Sequence, residues 1–253
     1  MTDTARKTLG RLPAAAFGRL TLPPIPSDIL DGFRALPDLT GMVSDAMDLA
    51  GLSGAVAGSE LRPTLAGRRV VGPVITVLNR ARGDTPAEAV AAADNRLADI
   101  EAHNLARPGD VTVIQGVDGV SSLGGIAAAI ARRQGEAAII VDGAVRDVEA
   151  SRERDLPVWA RGVTPVTGKW RIETVAINVA VTICGVTVHP GDLVVADDTG
   201  ICFVPHAALA DILTRARAIA ADERRRQEMI ANGRTLHELA ARPGIKPQTD
   251  QPK

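Results

Sequence analysis

Aromatic residues are nearly missing: three Phe, two Trp and no Tyr in 253 residues. A chain this poor in rings has no stock for base-stacking platforms or aromatic ligand cages. Two cysteines cannot build a disulfide framework or a four-thiolate zinc site. Surplus charge is missing as well, because 29 Lys+Arg against 30 Asp+Glu leave a formal net charge of −1. Non-specific nucleic-acid binding needs a basic face to displace counterions, so no nucleic-acid partner is expected. No apolar run approaches the roughly 18 residues of a membrane span, and the N-terminus lacks the apolar stretch of a secretory leader. The expectation is a cytoplasmic protein with no membrane partner. What the chain does have is aliphatic bulk, with 45% hydrophobic residues, enough for a sizeable core.

Residues 1–26 read as an arm, either frayed or clasping a neighbouring subunit. It carries Arg6, Lys7, Arg11 and Arg19 against Asp3, and closes on Leu22-Pro23-Pro24-Ile25-Pro26. Ser27 is placed to cap a helix over 27–35, and Ser44 one over 45–50. Val70-Val71-Gly72-Pro73-Val74-Ile75-Thr76-Val77 predicts a strand, and Thr85-Pro86-Ala87-Glu88 is a capping box opening an Ala-rich helix to about 104. A strand over 111–114, a glycine-rich loop over 116–125 and a helix over 126–134 closed by Gly135 follow. Next come a buried strand over 137–141 ending in an Asp142-Gly143 turn, a helix capped by Asp147, and extended chain at 157–160. Residues 175–188 read as strand. Residues 207–231 read as one long helix with the charged run Asp222–Arg226 on its solvent side, Thr235 opens a short helix, and the tail follows over 241–253. Helices alternate with strands early, and strands stand side by side later. The fold class is therefore α/β, one domain over 27–240 with a mixed central sheet flanked by helices.

Most catalytic signatures fail. Between Gly162 and Gly168 lie five residues where a phosphate loop needs four, and Trp170 replaces its Ser/Thr. His237-Glu238 starts like a zinc-peptidase helix, but Ala241 sits where the second His must be. The four histidines, at 103, 189, 206 and 237, lack ligand spacing and read as surface or turn residues. Cys184 and Cys202 sit in apolar stretches as buried, inert thiols. Of four lysines only Lys169 lies outside the tails, in a turn-like stretch that would not lower its pKa for imine chemistry.

One constellation survives. Gly119-Val120-Ser121-Ser122-Leu123-Gly124-Gly125 opens directly onto a helix, whose first-turn N–H groups and dipole attract an anion. A helix and a buried strand then deliver Arg146-Asp147 to the strand's carboxyl end, where α/β sheets place ligands. Arg146 offers a planar fork for a carboxylate and Asp147 a hard oxygen for Mg²⁺ or Mn²⁺. The competing reading is structural, with Asp147 capping its helix and Arg146 pairing with a surface acid.

The pattern Gly124-Gly125, twenty residues, then Arg146-Asp147, within Val141-Asp142-Gly143-Ala144-Val145-Arg146-Asp147 and followed by Leu156-Pro157-Val158, resembles the RraA-like family. Val43-Ser44-Asp45-Ala46, Pro108-Gly109-Asp110-Val111 and Pro190-Gly191-Asp192-Leu193 match in the same order. That family includes the regulator of ribonuclease activity A and metal-dependent 4-hydroxy-4-methyl-2-oxoglutarate aldolases. The resemblance implies a compact domain of the swivelling ββα type, assembled as a homotrimer or homohexamer with sites near subunit boundaries. It implies a divalent metal, Mg²⁺ or Mn²⁺, on Asp147, substrate contact by Arg146, and a pyruvyl carboxylate bound by the loop of Gly124, Gly125, Ile126 and Ala127. Gly125 stands where the aldolases carry an aspartate thought to orient a water for proton transfer. The expected function is a divalent-metal-dependent lyase acting on a small 2-oxo acid, by retro-aldol cleavage to pyruvate or by oxaloacetate decarboxylation. The departure at Gly125 favours decarboxylation or an unfamiliar substrate. The alternative is a non-catalytic interaction protein like the ribonuclease regulator.

Overall fold

A computed structural model of the chain describes residues 7–240, so the tail read over 241–253 lies outside the described residues. The early strands are β1 (Ala55–Ala57), β2 (Arg62–Pro63), β3 (Val70–Ala81), β4 (Val111–Gln115), β5 (Ala138–Val145) and β6 (Val158–Val163). The later ones are β7 (Ile172–Ile177), β8 (Val181–Ile183), β9 (Val186–Val188), β10 (Leu193–Ala196) and β11 (Gly200–Val204). Helices α1 (Ser27–Arg34), α2 (Leu39–Leu49), α3 (Pro86–Ala91) and α4 (Ile100–Leu105) belong to the first half. Then come α5 (Gly125–Gln134), α6 (Val148–Glu153), α7 (Leu209–Ala231) and α8 (Leu236–Ala240).

The sheet is mixed, in the order β1-β11-β10-β3-β4-β5-β6-β2, with β7 also paired to β3. The pairs β3–β4, β4–β5 and β5–β6 are parallel, while β1, β2, β7, β10 and β11 pair antiparallel. Alternation sorts the central strands' side chains between two faces. Val113, Ile140 and Trp159 pack on one face with Val181 and Phe203. Ile114, Ile139 and Val141 pack on the other, against Ala102 of α4 and Ala128 and Ala131 of α5. A third cluster, including Phe33, Met47 and Leu213, joins α1, α2 and α7 to β10 and β11. The mixed α/β architecture expected from the sequence is the one observed.

Several local expectations are corrected. Asp38, not Ser44, precedes the second helix, and Ser44 lies inside it; Pro26 rather than Ser27 occupies the first N-cap. The Ala-rich helix expected to reach 104 breaks after Ala91, and Ala93 takes φ 51°. Tertiary partners override helix propensity there. Buried Arg82 binds Asp84 and Asp94, and Arg96 and Ala98 pair with Thr174 of β7. Asp142-Gly143 is not a turn but part of β5, because Asp142 aligns with Gln115 and its carboxylate takes Arg161 and the Cys184 N–H. Residues 175–188 divide between β7 and the β8–β9 hairpin.

The described part of the arm, residues 7–26, is tied down on its own domain. Buried Glu101 accepts the N–H groups of Leu9 and Arg11 at 2.8 and 2.7 Å, and Leu12, Phe17 and Leu22 pack on the α4–α5 side of the sheet. Both Pro-Gly-Asp turns use one device: Asp110 accepts from Arg107 N–H and Asp192 from His189 N–H, with Gly109 and Gly191 at φ 92° and 90°. Turn chemistry accounts for their likeness.

Candidate active site at the carboxyl ends of the parallel strands

Three loops meet where β4 and β5 end, and main-chain hydrogen bonds stitch them together. Ser122 N–H donates to Ala144 O, Arg146 N–H to Leu123 O and Ser121 N–H to Val166 O, all at 2.9–3.0 Å. Gly168 fits against Ser121 with no room for a side chain, since a Cβ there would lie 2.4 Å from the Ser121 carbonyl oxygen. The glycine pair has a similar reason. A Cβ on Gly124 would sit 3.0 Å from Asp147 Oδ2 and 3.1 Å from Arg146 Nε, so small residues let the Arg-Asp pair approach the helix start. Neither Gly124 nor Gly125 needs a left-handed backbone.

Asp147 does need one, with φ 54° and ψ 42°. The turn carries its carboxylate back to α5, where Oδ2 accepts the Gly125 N–H at 2.9 Å. This corrects the simple capping expectation: Asp147 occupies the N-cap of α6, but its carboxylate bonds to the start of α5. Arg146 Nε stands 3.4 Å from the same oxygen, and both side chains are partly open, 39% and 48% exposed. The N–H groups of Ile126 and Ala127, in the first helical turn, have no intrahelical acceptor.

A cavity of about 440 Å³ is lined by Gly124, Gly125, Ile126, Ala127, Arg146 and Asp147 together. The residues expected to bind metal and substrate thus border one space, while Gly119 and Val120 of the same loop lie outside its lining. A larger groove of about 930 Å³ runs elsewhere, along α2, α7 and α8. Ordinary charged and apolar helix side chains line that groove without a glycine loop, so the smaller cavity is the chemical candidate. Sequence reasoning missed part of its wall. Arg11 from the arm, Lys169, Asp99 and His103 also line it. Lys169 is exposed there, not buried as an imine-forming amine would be.

His103 is fully buried, not a surface or turn residue. Its Nδ1 lies 2.8 Å from Glu136, 33 residues away. The signal available in the sequence was Asp99 and His103 at i,i+4 on one helical face. Cys202 is buried and its thiol is pushed up to about 12 by burial, consistent with an inert role. Cys184 lies in the β8–β9 turn at φ 47°, half-buried, with its thiol raised by burial and then by Asp142 to about 11.

A glycine loop facing an Arg-Asp pair across the carboxyl edge of a mixed sheet characterises a class as well as a site. The chain belongs to the RraA-like family: the family model, described as Aldolase/RraA, matches residues 40–203. A Halalkalibacterium halodurans protein named "Putative 4-hydroxy-4-methyl-2-oxoglutarate aldolase" is 33% identical over 207 residues, covering 81% of this chain and 90% of the relative. An uncharacterized protein from Pseudomonas syringae superposes with a TM-score of 0.72 at 29% identity, covering 87% of this chain and 95% of that one. Streptomyces coelicolor RraAS2, titled an unusual member of the RNase ES inhibitor RraA protein family, superposes with a TM-score of 0.66. Its identity is 25%, and the match covers 85% of this chain and all of that one. Among the described residues no helix is long and apolar enough to cross a membrane.

Proposed function

We propose that this protein is a lyase that breaks a carbon–carbon bond of a small 2-oxo acid with the help of Mg²⁺ or Mn²⁺ at Asp147. The observation that carries the reading is the convergence of the α5 amide edge, Arg146 and Asp147 on one cavity. Among the described residues no group of three or more His, Cys, Asp or Glu side chains could hold a metal ion. A single hard carboxylate, with waters and substrate oxygens completing the shell, is a donor set that Mg²⁺ accepts. Asp147 fits that description, being half-open and hydrogen-bonded through one oxygen only to a main-chain N–H. When bound, such an ion supplies Lewis-acid polarisation of a carbonyl.

The chain's own groups do the rest. The Ile126 and Ala127 N–H groups bind the substrate carboxylate at the positive end of α5. Arg146 holds an oxygen of the 2-oxo acid and stabilises the negative charge that grows there as the bond breaks. Asp147 fixes the Gly125 end of the helix, keeping the amide edge and the guanidinium in register. Gly125 leaves no carboxylate of its own for proton transfer, which favours loss of CO₂ from oxaloacetate or an aldol substrate protonated from elsewhere.

Ile126 and Val163 are 82% and 69% exposed, and Ile126 lies at the cavity mouth. Apolar surface so close to the site supports a homo-oligomer, trimer or hexamer, with a subunit boundary there. Sedimentation of a monomer at micromolar concentration would exclude that boundary.

The function is tested by coupled pyruvate release from a panel of 4-hydroxy-2-oxo acids and oxaloacetate, with and without Mg²⁺ or Mn²⁺. Metal-stimulated release from at least one of them is expected. No release from any would leave the interaction-protein reading, which the likeness to a family titled as RNase inhibitors supports.

A further inference from the structure

A buried chain of polar side chains ends at the wall of the cavity. Thr112 Oγ1 donates to Glu136 Oε2 at 2.6 Å, and Glu136 Oε1 lies 2.8 Å from His103 Nδ1. The His103 and Glu136 side chains are both wholly buried. With Glu136 accepting at Nδ1, the other ring nitrogen, Nε2, is left without a partner, 3.9 Å from Asp99 Oδ2. Asp99 is 12% exposed and borders the cavity together with His103.

A pair kept only for packing would not need a bare ring nitrogen. Buried polar atoms in native structures almost always have partners, and a catalytic role is one recognised reason for an exception. The order carboxylate, imidazole, carboxylate also follows the logic of catalytic relays, in which a buried acid fixes the tautomer of a histidine that serves the next group.

We propose that Asp99 is the acid–base residue of the site, and that His103 and Glu136 position it and share its proton. The proposal rests on the lyase reading and supplies the proton-transfer group that Gly125 does not. In retro-aldol cleavage the Asp99 carboxylate takes the proton of the C4 hydroxyl. The C3–C4 electron pair passes into the enolate and C4–O becomes a carbonyl. The same proton then returns from Asp99 to C3, giving pyruvate and the carbonyl product with no net proton change. Decarboxylation makes the enolate without removing a proton, so it depends less on Asp99.

The charges around the relay agree. Burial pushes the Asp99 carboxyl up, opposed by His103 and Arg11. Burial also works against charging His103, but the charge and hydrogen bond of Glu136, with Asp99, outweigh it and raise the ring above its ordinary value. Glu101, on the same helix, is committed to the Leu9 and Arg11 amides and leaves the relay alone.

The test compares both reactions in Asp99→Asn, His103→Gln and Glu136→Gln with native protein, with folding checked by circular dichroism. General acid–base assistance is typically worth about 10²–10⁴-fold, so Asp99→Asn should lower aldol kcat by at least about 10²-fold. Its KM should stay within roughly threefold, because the carboxylate-binding amides and Arg146 are untouched. Its decarboxylation rate should fall less than about tenfold, because loss of CO₂ removes no proton and water can protonate the enolate at C3. The two positioning variants should lose roughly tenfold in aldol kcat and shift the pH profile, as changes to an orienting partner do. Equal loss of both reactions, or native aldol rates in the folded variants, would overturn the relay. If the variants do not fold, ring ¹⁵N NMR of His103 in the native protein decides. Oxalate with Mg²⁺, which presents two planar oxygens like an enolate, should shift the His103 nitrogens, and no response would overturn the proposal. A native protein that turns over nothing in the panel fails the lyase reading and takes the relay with it.

Discussion

Asp147→Asn should abolish metal-dependent turnover while leaving the fold intact. Lewis-acid stabilisation by a bound cation is worth several kcal/mol, so removing the charge that holds it should cost at least about 10²-fold in kcat/KM. The structure makes asparagine a clean probe. Its side-chain oxygen can still accept the Gly125 N–H that Asp147 Oδ2 now takes at 2.9 Å. It also tolerates the left-handed backbone at φ 54° better than most residues. Alanine would lose both features and should lower stability as well, confusing the result. Rates with and without Mn²⁺, read beside a thermal melt, separate the two effects. Full metal-stimulated activity in Asp147→Asn would mean that Asp147 serves only the turn.

The largest stability effect is expected on the other face of the sheet. Trp159 on β6 is fully buried, and its Nε1–H donates to Asp197 O at 3.2 Å. That carbonyl lies just past β10, so the indole ties the two arms of the mixed sheet together. Asp197 is anchored in turn by Thr40, whose N–H and hydroxyl donate to its carboxylate. Trp→Ala in a packed core costs about 3–5 kcal/mol, because transfer energy is lost and the cavity closes only in part. For a domain of this size the melting temperature should fall by roughly 10 °C. Trp159→Phe keeps most of the volume and loses one hydrogen bond, so it should cost about 1–2 kcal/mol. Denaturant unfolding of both variants checks the order. A Trp159→Ala protein as stable as the native one would show that this face carries little of the fold.

The candidate site was legible where its chemistry is carried by neighbours in sequence. Gly124-Gly125 and Arg146-Asp147 announce themselves as short words, and the strand and helix between them fix the distance at which they meet. Asp99, His103 and Glu136 make no such word. They converge only because α4 packs beside α5 and the turn that follows it, so the pairing of His103 with Glu136 exists in three dimensions alone. The same limit explains the local corrections in the fold. Ala-rich sequence after Thr85 promises a continuous helix, and nothing nearby reveals that Arg82 will draw Asp94 back to the end of β3. Asp142-Gly143 has turn composition, yet its register opposite Gln115 and the grip of Arg161 keep it in a strand. The arm carries no sign that Glu101, ninety residues away, holds its main chain.

The central claim is that this cavity holds a divalent cation and a 2-oxo acid between Asp147, Arg146 and the α5 amides. Crystals grown with Mn²⁺ and oxalate test it most directly, through the anomalous signal of manganese. The account predicts a peak within coordination distance of the Asp147 carboxylate, with oxalate between it and the Ile126–Ala127 edge and Arg146 beside it. A manganese peak bound elsewhere, or oxalate in the cavity with no metal at Asp147, would contradict it.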